Sequence, residues 1–175
     1  MISADEFKNA FRLHPSGVAL IAADPGEPVA FTASSVSAVS ADPPLLMFSV
    51  SALSSSALSL RLVDTVVVHM LAADNLDLAI LGAKRGANRF ADRTRWRRLP
   101  TGEPVFNDVH TWLRARILHR IDAGGSTVFV GTAIESGATD TAESDDGLVY
   151  RNRTWHRLSP VSAMRLPELA AIPLN

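Results

Sequence analysis

The run Phe31-Thr32-Ala33-Ser34-Ser35-Val36-Ser37-Ala38-Val39-Ser40-Ala41-Asp42-Pro43-Pro44 crowds hydroxyls onto what otherwise reads as a strand, then stops at a double proline. Thr and Ser hydroxyls, with the N–H groups of a loop leaving a strand, are neutral donors. They can surround a phosphate or a sugar-like chain without an unpaired buried charge. The alternative is a serine-rich edge strand or loop that is simply solvated. A second feature is the basic run Lys84, Arg85, Arg89, Arg93, Arg95, Arg97 and Arg98, which has only Asp92 as counter-charge. It suits either a small anionic cofactor or a solvated face balanced by acids elsewhere. Little else in the chain offers chemistry. There is no Gly-x-Gly-x-x-Gly, no Walker lysine loop, no Gly-x-Ser-x-Gly elbow and no His-Glu-x-x-His. His14, His69, His110, His119 and His156 show no metal-ligand spacing within any one element, so no metal is expected. The absence of cysteine excludes disulfides, iron–sulfur clusters, Cys-zinc sites and thiol catalysis.

The elements that must position these residues read mainly as short strands. Ser3 followed by Glu6 has capping-box spacing, and Phe7, Ala10 and Phe11 then share a helical face. Gly17 to Ala23, a turn at 24–28 and Val29 to Ser35 form a hairpin, so the hydroxyl run begins on a returning strand. Leu45 to Val50 is the next strand, and the Ser54-Ser55-Ser56 cluster can cap a short helix to about Leu62. Thr65 to Leu71 reads as a buried β-branched strand. Asn75 to Ala83 reads as a helix with Asp74 as a possible cap, ended by the Gly82 and Gly86 breaks. Leu113, Ala115 and Ile117 alternate with Arg114 and Arg116, the period of a half-buried antiparallel strand. Thr127 to Ile134, Gly147 to Tyr150 and Thr154 to Leu158 add three more.

Many short strands with few helices between them favour an antiparallel barrel over a doubly wound parallel sheet. At 175 residues, 47% hydrophobic, 20% charged and with a formal net charge of -1, the chain fits one globular domain. No nucleic-acid partner is expected. The N-terminus lacks a secretory pattern, and no apolar run is long enough for a bilayer-spanning helix, so the expected location is cytoplasmic, with no membrane partner. The proline-punctuated tail, residues 161–175, either packs on the barrel or a partner subunit or is a loosely ordered end.

The Thr-Ala-Ser-Ser...Ser-x-Asp-Pro-Pro run resembles the signature of the flavin reductase-like family. Phe48-Ser49-Val50-Ser51 and the following serines resemble its next strand and phosphate-facing loop. Val66-Val67-Val68-His69-Met70-Leu71 resembles its Val-Asn-x-Leu strand, with His69 where Asn is usual. Leu78-Ala79, Arg89-Phe90, Trp96 with Gly102-x-Pro104, Val128-Phe129-Val130-Gly131, and Leu148-Val149-Tyr150 followed by Trp155 continue the likeness in order, over about residues 5 to 158. One departure stands out: Gly124-Gly125-Ser126 replaces the Gly-Asp-His common just before the Ile-Phe-Ile-Gly strand.

The resemblance implies an FMN-binding split β-barrel, mainly β with short helices, antiparallel and of Greek-key type, over residues 1–160. It implies an NAD(P)H:flavin reductase using FMN, alternatively FAD, with NADH or NADPH as co-substrate, supplying reduced flavin to a monooxygenase. A homodimer with flavin near the subunit interface is also implied. Thr32, Ala33, Ser34 and Ser35 would cradle the ribityl chain and phosphate, and Ser49, Ser51, Ser55 and Ser56 would close around the phosphate. Phe90 and Trp155 either flank the rings or belong to the core. His69 either faces flavin or is a hydrogen-bonded packing residue. Gly125 and Ser126 would lie on the nicotinamide side, where the missing histidine favours the alternative of a flavin-binding protein or electron carrier that does not use NAD(P)H. A third possibility is an interaction module of the same barrel class without cofactor.

Overall fold

The computed structural model describes residues 1–54, 56–138 and 146–164. A helix, α1 (Ala4–Arg12), opens the chain and is held by the expected reciprocal cap: the Glu6 N–H donates to Ser3 Oγ, and the Ser3 N–H donates to the Glu6 carboxylate. The strands then follow as β1 (Ser16–Gly17), β2 (Ala19–Ala23), β3 (Val29–Ala33), β4 (Ser37–Ser40) and β5 (Leu45–Ser51). A short α2 (Ala57–Leu60) leads to β6 (Thr65–Met70), and α3 (Leu76–Ala83) to β7 (Trp96–Arg98) and β8 (Pro104–Phe106). The long hairpin β9 (Thr111–Ala123) and β10 (Ser126–Ala138) precedes β11 (Gly147–Arg151) and β12 (Thr154–Leu158).

Seven strands form one antiparallel sheet in the order β3-β2-β6-β9-β10-β5-β4. β2 explains why an unbroken apolar run can be a strand. Ile21 and Ala23 face one core with Phe31, Phe48, Val66, Val68 and Phe129, while Leu20 and Ala22 face a second with Leu78, Phe90, Trp96 and Phe106. Both faces are buried, which is why the run is apolar throughout. Phe48 and Phe129 lie directly opposite across β5 and β10 and stack at 5.1 Å, at the centre of the first core. Gly137 on β10 backs onto Trp112, whose ring would be 2.2 Å from a Cβ there.

Several expectations need correction. The hydroxyl run is not one strand: β3 stops at Ala33, residues 34–36 are loop, and β4 is a separate edge strand on β5. Asp74 does not cap α3; it lies in a preceding 3-10 turn (Ala73–Asn75), and its carboxylate accepts from Arg157 at 2.9 Å. Gly82 does not break the helix but lies inside it, where α3 presses on β3 so closely that a Cβ would fall 2.3 Å from Thr32 Oγ1. The tail at 165–175 lies outside the described residues. Among the described residues, no helix is long and apolar enough to cross a membrane.

Candidate functional site

A cleft of about 480 Å³ opens where the ends of β3 and β5 meet the C-terminal end of α3. Its walls are Phe31 to Ser35, Ser49 to Ser51, Leu53, Ser54 and Ser56, the C-terminal end of α3 at Gly82 and Ala83, then Arg85, Arg89 and Ser126. Thr32, Ala33, Ser34, Ser35, Ser49, Ser51 and Ser56 thus line one cleft, and Ser126, which sequence put on the nicotinamide side, lines it too. Their hydroxyls are not equivalent. Thr32 Oγ1 donates to the Ala79 carbonyl at 2.6 Å, tying β3 to α3, so its proton is already committed. Ser35 Oγ donates to the Ser49 carbonyl at 3.1 Å and accepts from the Ser49 N–H at 3.0 Å. These two residues build the cleft rather than offer it donors. Ser51 Oγ accepts from the Leu53 N–H and Ser54 Oγ from the Ser56 N–H, which leaves both hydroxyl protons for a ligand. Ser34, Ser49 and Ser126 add hydroxyls on the same walls.

The cations come from the end of α3. Arg89 folds back on that end, donating to the carbonyls of Gly82 at 3.3 Å, Lys84 at 2.7 Å and Ala87 at 2.8 Å. It thereby satisfies acceptors that a helix C-terminus leaves open. Its Nε is buried with no hydrogen-bond partner among the described residues. Arg85 is exposed at the rim of the cleft, and among the described residues no carboxylate lines it. Sequence reading placed both in a basic run suited to a small anionic cofactor, and Arg89 also in the Arg89-Phe90 pair, without giving either a role in the site. The rest of that run is largely spoken for: Arg95 pairs with Asp77 at 2.7 Å and Asp108 at 2.8 Å, Arg98 pairs with Asp24, and Arg93 lies over Trp96. Leu53 and Gly82 were missed, and Ser54 was read only as part of the serine cluster after Ser51.

Other expected site residues lie elsewhere. His69 is fully buried; its Nε2 accepts from the Phe106 N–H at 3.1 Å, so Nδ1 carries the proton and donates to the Leu20 carbonyl at 3.0 Å. It is the hydrogen-bonded packing residue, away from the cleft. Burial pushes its pKa down to about 4; the Leu20 carbonyl pulls it back up and Arg97 adds to the lowering. Phe90 is core, with its ring 5.0 Å from Trp96 and 5.3 Å from Phe106. Trp155 is half-buried against Tyr150, with ring centroids 4.7 Å apart, and does not line the cleft. Gly125 lies in the β9–β10 turn beside Ser126, and it is Gly124, at φ +60°, that takes the left-handed conformation there. Ser55 lies outside the described residues.

The donor set fits a phosphorylated polyol: hydroxyls along one wall, guanidinium groups at the end, and Phe31, Val50 and Leu53 as apolar surface. The family model described as flavin reductase like domain matches residues 11–159. The chain belongs to that family. Over 162 residues this flavin reductase like domain is 35% identical to the NADH:FMN oxidoreductase of Rhodococcus erythropolis, covering 91% of this chain and 84% of that protein. In structure it is similar to a flavin reductase domain protein from Arthrobacter sp. FB24, with a TM-score of 0.83, 33% identity, and coverage of 90% of this chain and 97% of that one. It is also similar to BorF, the flavin reductase component of a bacterial two-component tryptophan halogenase, with a TM-score of 0.78, 29% identity, and coverage of 89% and 98%.

Proposed function

We propose that this flavin reductase like domain is an NADH:FMN oxidoreductase that delivers reduced flavin to a separate flavin-dependent oxygenase or halogenase. The observation that carries the reading is the cleft: free hydroxyls of Ser51 and Ser54 beside Arg85 and Arg89, with no carboxylate on its walls among the described residues. Similarity to the Rhodococcus enzyme over nearly the whole chain, and to BorF, supports it. A flavin held there would supply the redox chemistry. The protein's part is positional. Arg85, with Ser51 and Ser54, would hold the phosphate, and Ser34 and Ser49 would donate to the ribityl chain. Thr32 and Ser35 keep those walls in place through Ala79 and Ser49. Ser126 stands at the nicotinamide side with a neutral hydroxyl, and no protein acid or base is required.

Steady-state NADH oxidation, measured with and without added FMN, tests the reading. An FMN-dependent rate is expected; flavin binding without any NADH oxidation would establish the carrier alternative instead. Arg85→Glu should raise the FMN dissociation constant by about tenfold or more, the scale of one charge-assisted hydrogen bond. Fluorescence titration reads it, and an unchanged constant would take Arg85 out of the site.

The same proposal includes a homodimer. Met47 lies two residues from Ser49 on the outer face of β5, and Ile121 is placed on that face through the Ser49–Val128–Ile121 register; both are exposed, as are Val39 and Leu118 nearby. An apolar face continuous with the cleft suits a subunit contact that completes it. Sedimentation velocity at low micromolar concentration should show a dimer, and Met47→Lys with Ile121→Lys should shift it to monomer. A wild-type monomer that binds FMN fully would refute this.

A further inference from the structure

Arg61 follows α2 and does not line the cleft, yet it ties one wall of the cleft to the β9–β10 hairpin. Its Nη2 donates to the Asp122 carboxylate at 2.6 Å and to Thr127 Oγ1 at 3.0 Å. Thr127 Oγ1 in turn donates to the same carboxylate oxygen at 3.0 Å, which closes a triangle. Asp122 and Thr127 face each other across β9 and β10, on the rung next to that of Ser126. Thr127 and Arg61 together hold the Asp122 carboxyl below its ordinary range. The ion pair alone would contribute little, because the side chains of Arg61 and Asp122 are 48% and 72% exposed. Thr127, only 7% exposed, gives it a fixed end.

A second tie holds the other end of the same segment. β5 ends at Ser51, and the Ala52 N–H then donates to the Gly125 carbonyl, in the β9–β10 turn, at 2.9 Å. The chain from Ala52 to Arg61 is thus fastened at both ends to one hairpin, and it carries Leu53, Ser54 and Ser56 of the cleft wall. Packing adds a hold at Leu60, in the first core, whereas Leu53 and Leu58 are largely exposed. The segment also aims the two free hydroxyls. Ser51 Oγ accepts from the Leu53 N–H at 3.2 Å and Ser54 Oγ from the Ser56 N–H at 3.3 Å, so the direction of each remaining proton depends on where this backbone lies.

We propose that Arg61 is a positioning residue for flavin: by fastening the segment that follows β5 to the β9–β10 hairpin, it holds the Ser51 and Ser54 hydroxyls in place for the phosphate. The proposal rests on the reading of the cleft as the flavin site. It makes flavin affinity depend on a guanidinium that touches no part of the ligand.

A double-mutant cycle on FMN affinity, read by fluorescence titration, is the test. Arg61→Ala and Ser51→Ala should each raise the FMN dissociation constant about fivefold, the scale of one lost hydrogen bond. In the Arg61→Ala background, Ser51→Ala should then cost less than about twofold, because the hydroxyl is already out of place. Fully additive effects, or an unchanged constant in either single variant, would overturn the proposal. Amide hydrogen exchange gives a readout that needs no ligand. Arg61→Ala should speed exchange at Ala52, Leu53 and Ser56 by about tenfold or more, while Tm stays within about 3 °C of wild type, the scale of an exposed pair. A larger fall in Tm, with exchange raised throughout the sheet, would make Arg61 a contributor to general stability and overturn the role. If wild type binds no FMN, the flavin reading fails by itself and the exchange comparison decides the rest. Faster exchange confined to the segment would uphold the tie, and unchanged exchange would remove it.

Discussion

Lowering the pH from 6.5 to 4 is expected to remove roughly 3 kcal/mol of folding stability through one buried imidazole, that of His69. In the folded chain the ring is neutral: Nδ1 donates to Leu20 and Nε2 accepts from the Phe106 N–H. A proton on Nε2 would set a donor against a donor inside the core, and burial pushes the pKa to about 4 against an ordinary value of 6.5. Between those values the unfolded chain binds a proton that the folded chain does not. Stability is therefore intact above 6.5 and declines as the pH falls toward 4. Urea unfolding at pH 7, 5.5 and 4.5 measures it. His69→Asn, which keeps a donor and an acceptor but does not titrate, should flatten the profile in this window. A wild-type profile already flat there would refute the assignment.

Substitution of Glu103 should have a still larger effect at neutral pH. Its buried carboxylate accepts from Thr65 Oγ1, Thr101 Oγ1 and, at 2.7 Å, Arg114 Nε, while the other acid near Arg114, Glu135, is 3.9 Å away. Glu103→Ala leaves a largely buried guanidinium without its main partner, and a loss of about 3–5 kcal/mol is expected. Pairing it with Arg114→Met should recover much of that loss, because an apolar pair replaces a lone charge. A single variant within 1 kcal/mol of wild type, the scale of an exposed pair, would show that the pair is not effectively buried. Glu103 also sets a second acid step. Burial raises its pKa, but the two hydroxyls and Arg114 together outweigh burial and hold it at about 2 rather than 4.5. The folded value lies below the unfolded one, so this contribution is present above about 4.5 and is lost as pH falls toward 2. Acid unfolding of wild type should thus proceed through two windows, and Glu103→Gln should remove the lower one.

Much of the framework was legible because local signals and tertiary demands agree. The Ser3–Glu6 cap, the unbroken apolar β2 and the alternation from Leu113 to Ile117 each describe what those segments do. β9 and β10 run further than their apolar patterns because they pair with each other out to Ala123 and Ser126, where their side chains are largely exposed and carry no strong period. In the site, the residue types were readable but their directions were not. Thr32 and Ser35 look like donors to a ligand, yet their partners, Ala79 and Ser49, are 47 and 14 residues away. His69 likewise owes its neutrality to Leu20 and Phe106, which no local pattern links to it. Arg89 could not be recognised as the clamp on the end of α3 until the chain after Gly86 was seen to turn back.

The two bonds between Ser35 and Ser49 bear on self-association by strand addition. β4 pairs with β5 only up to the Ser37–Met47 rung, so beyond it β5 would present unpaired N–H and C=O groups, the kind of edge on which foreign strands polymerise. The Ser35 hydroxyl supplies both halves of the missing rung at Ser49, donor and acceptor, from a single side chain. A side chain occupies less width than a strand, so the sheet is sealed against another polypeptide at that rung while the space beside it stays open to a small molecule.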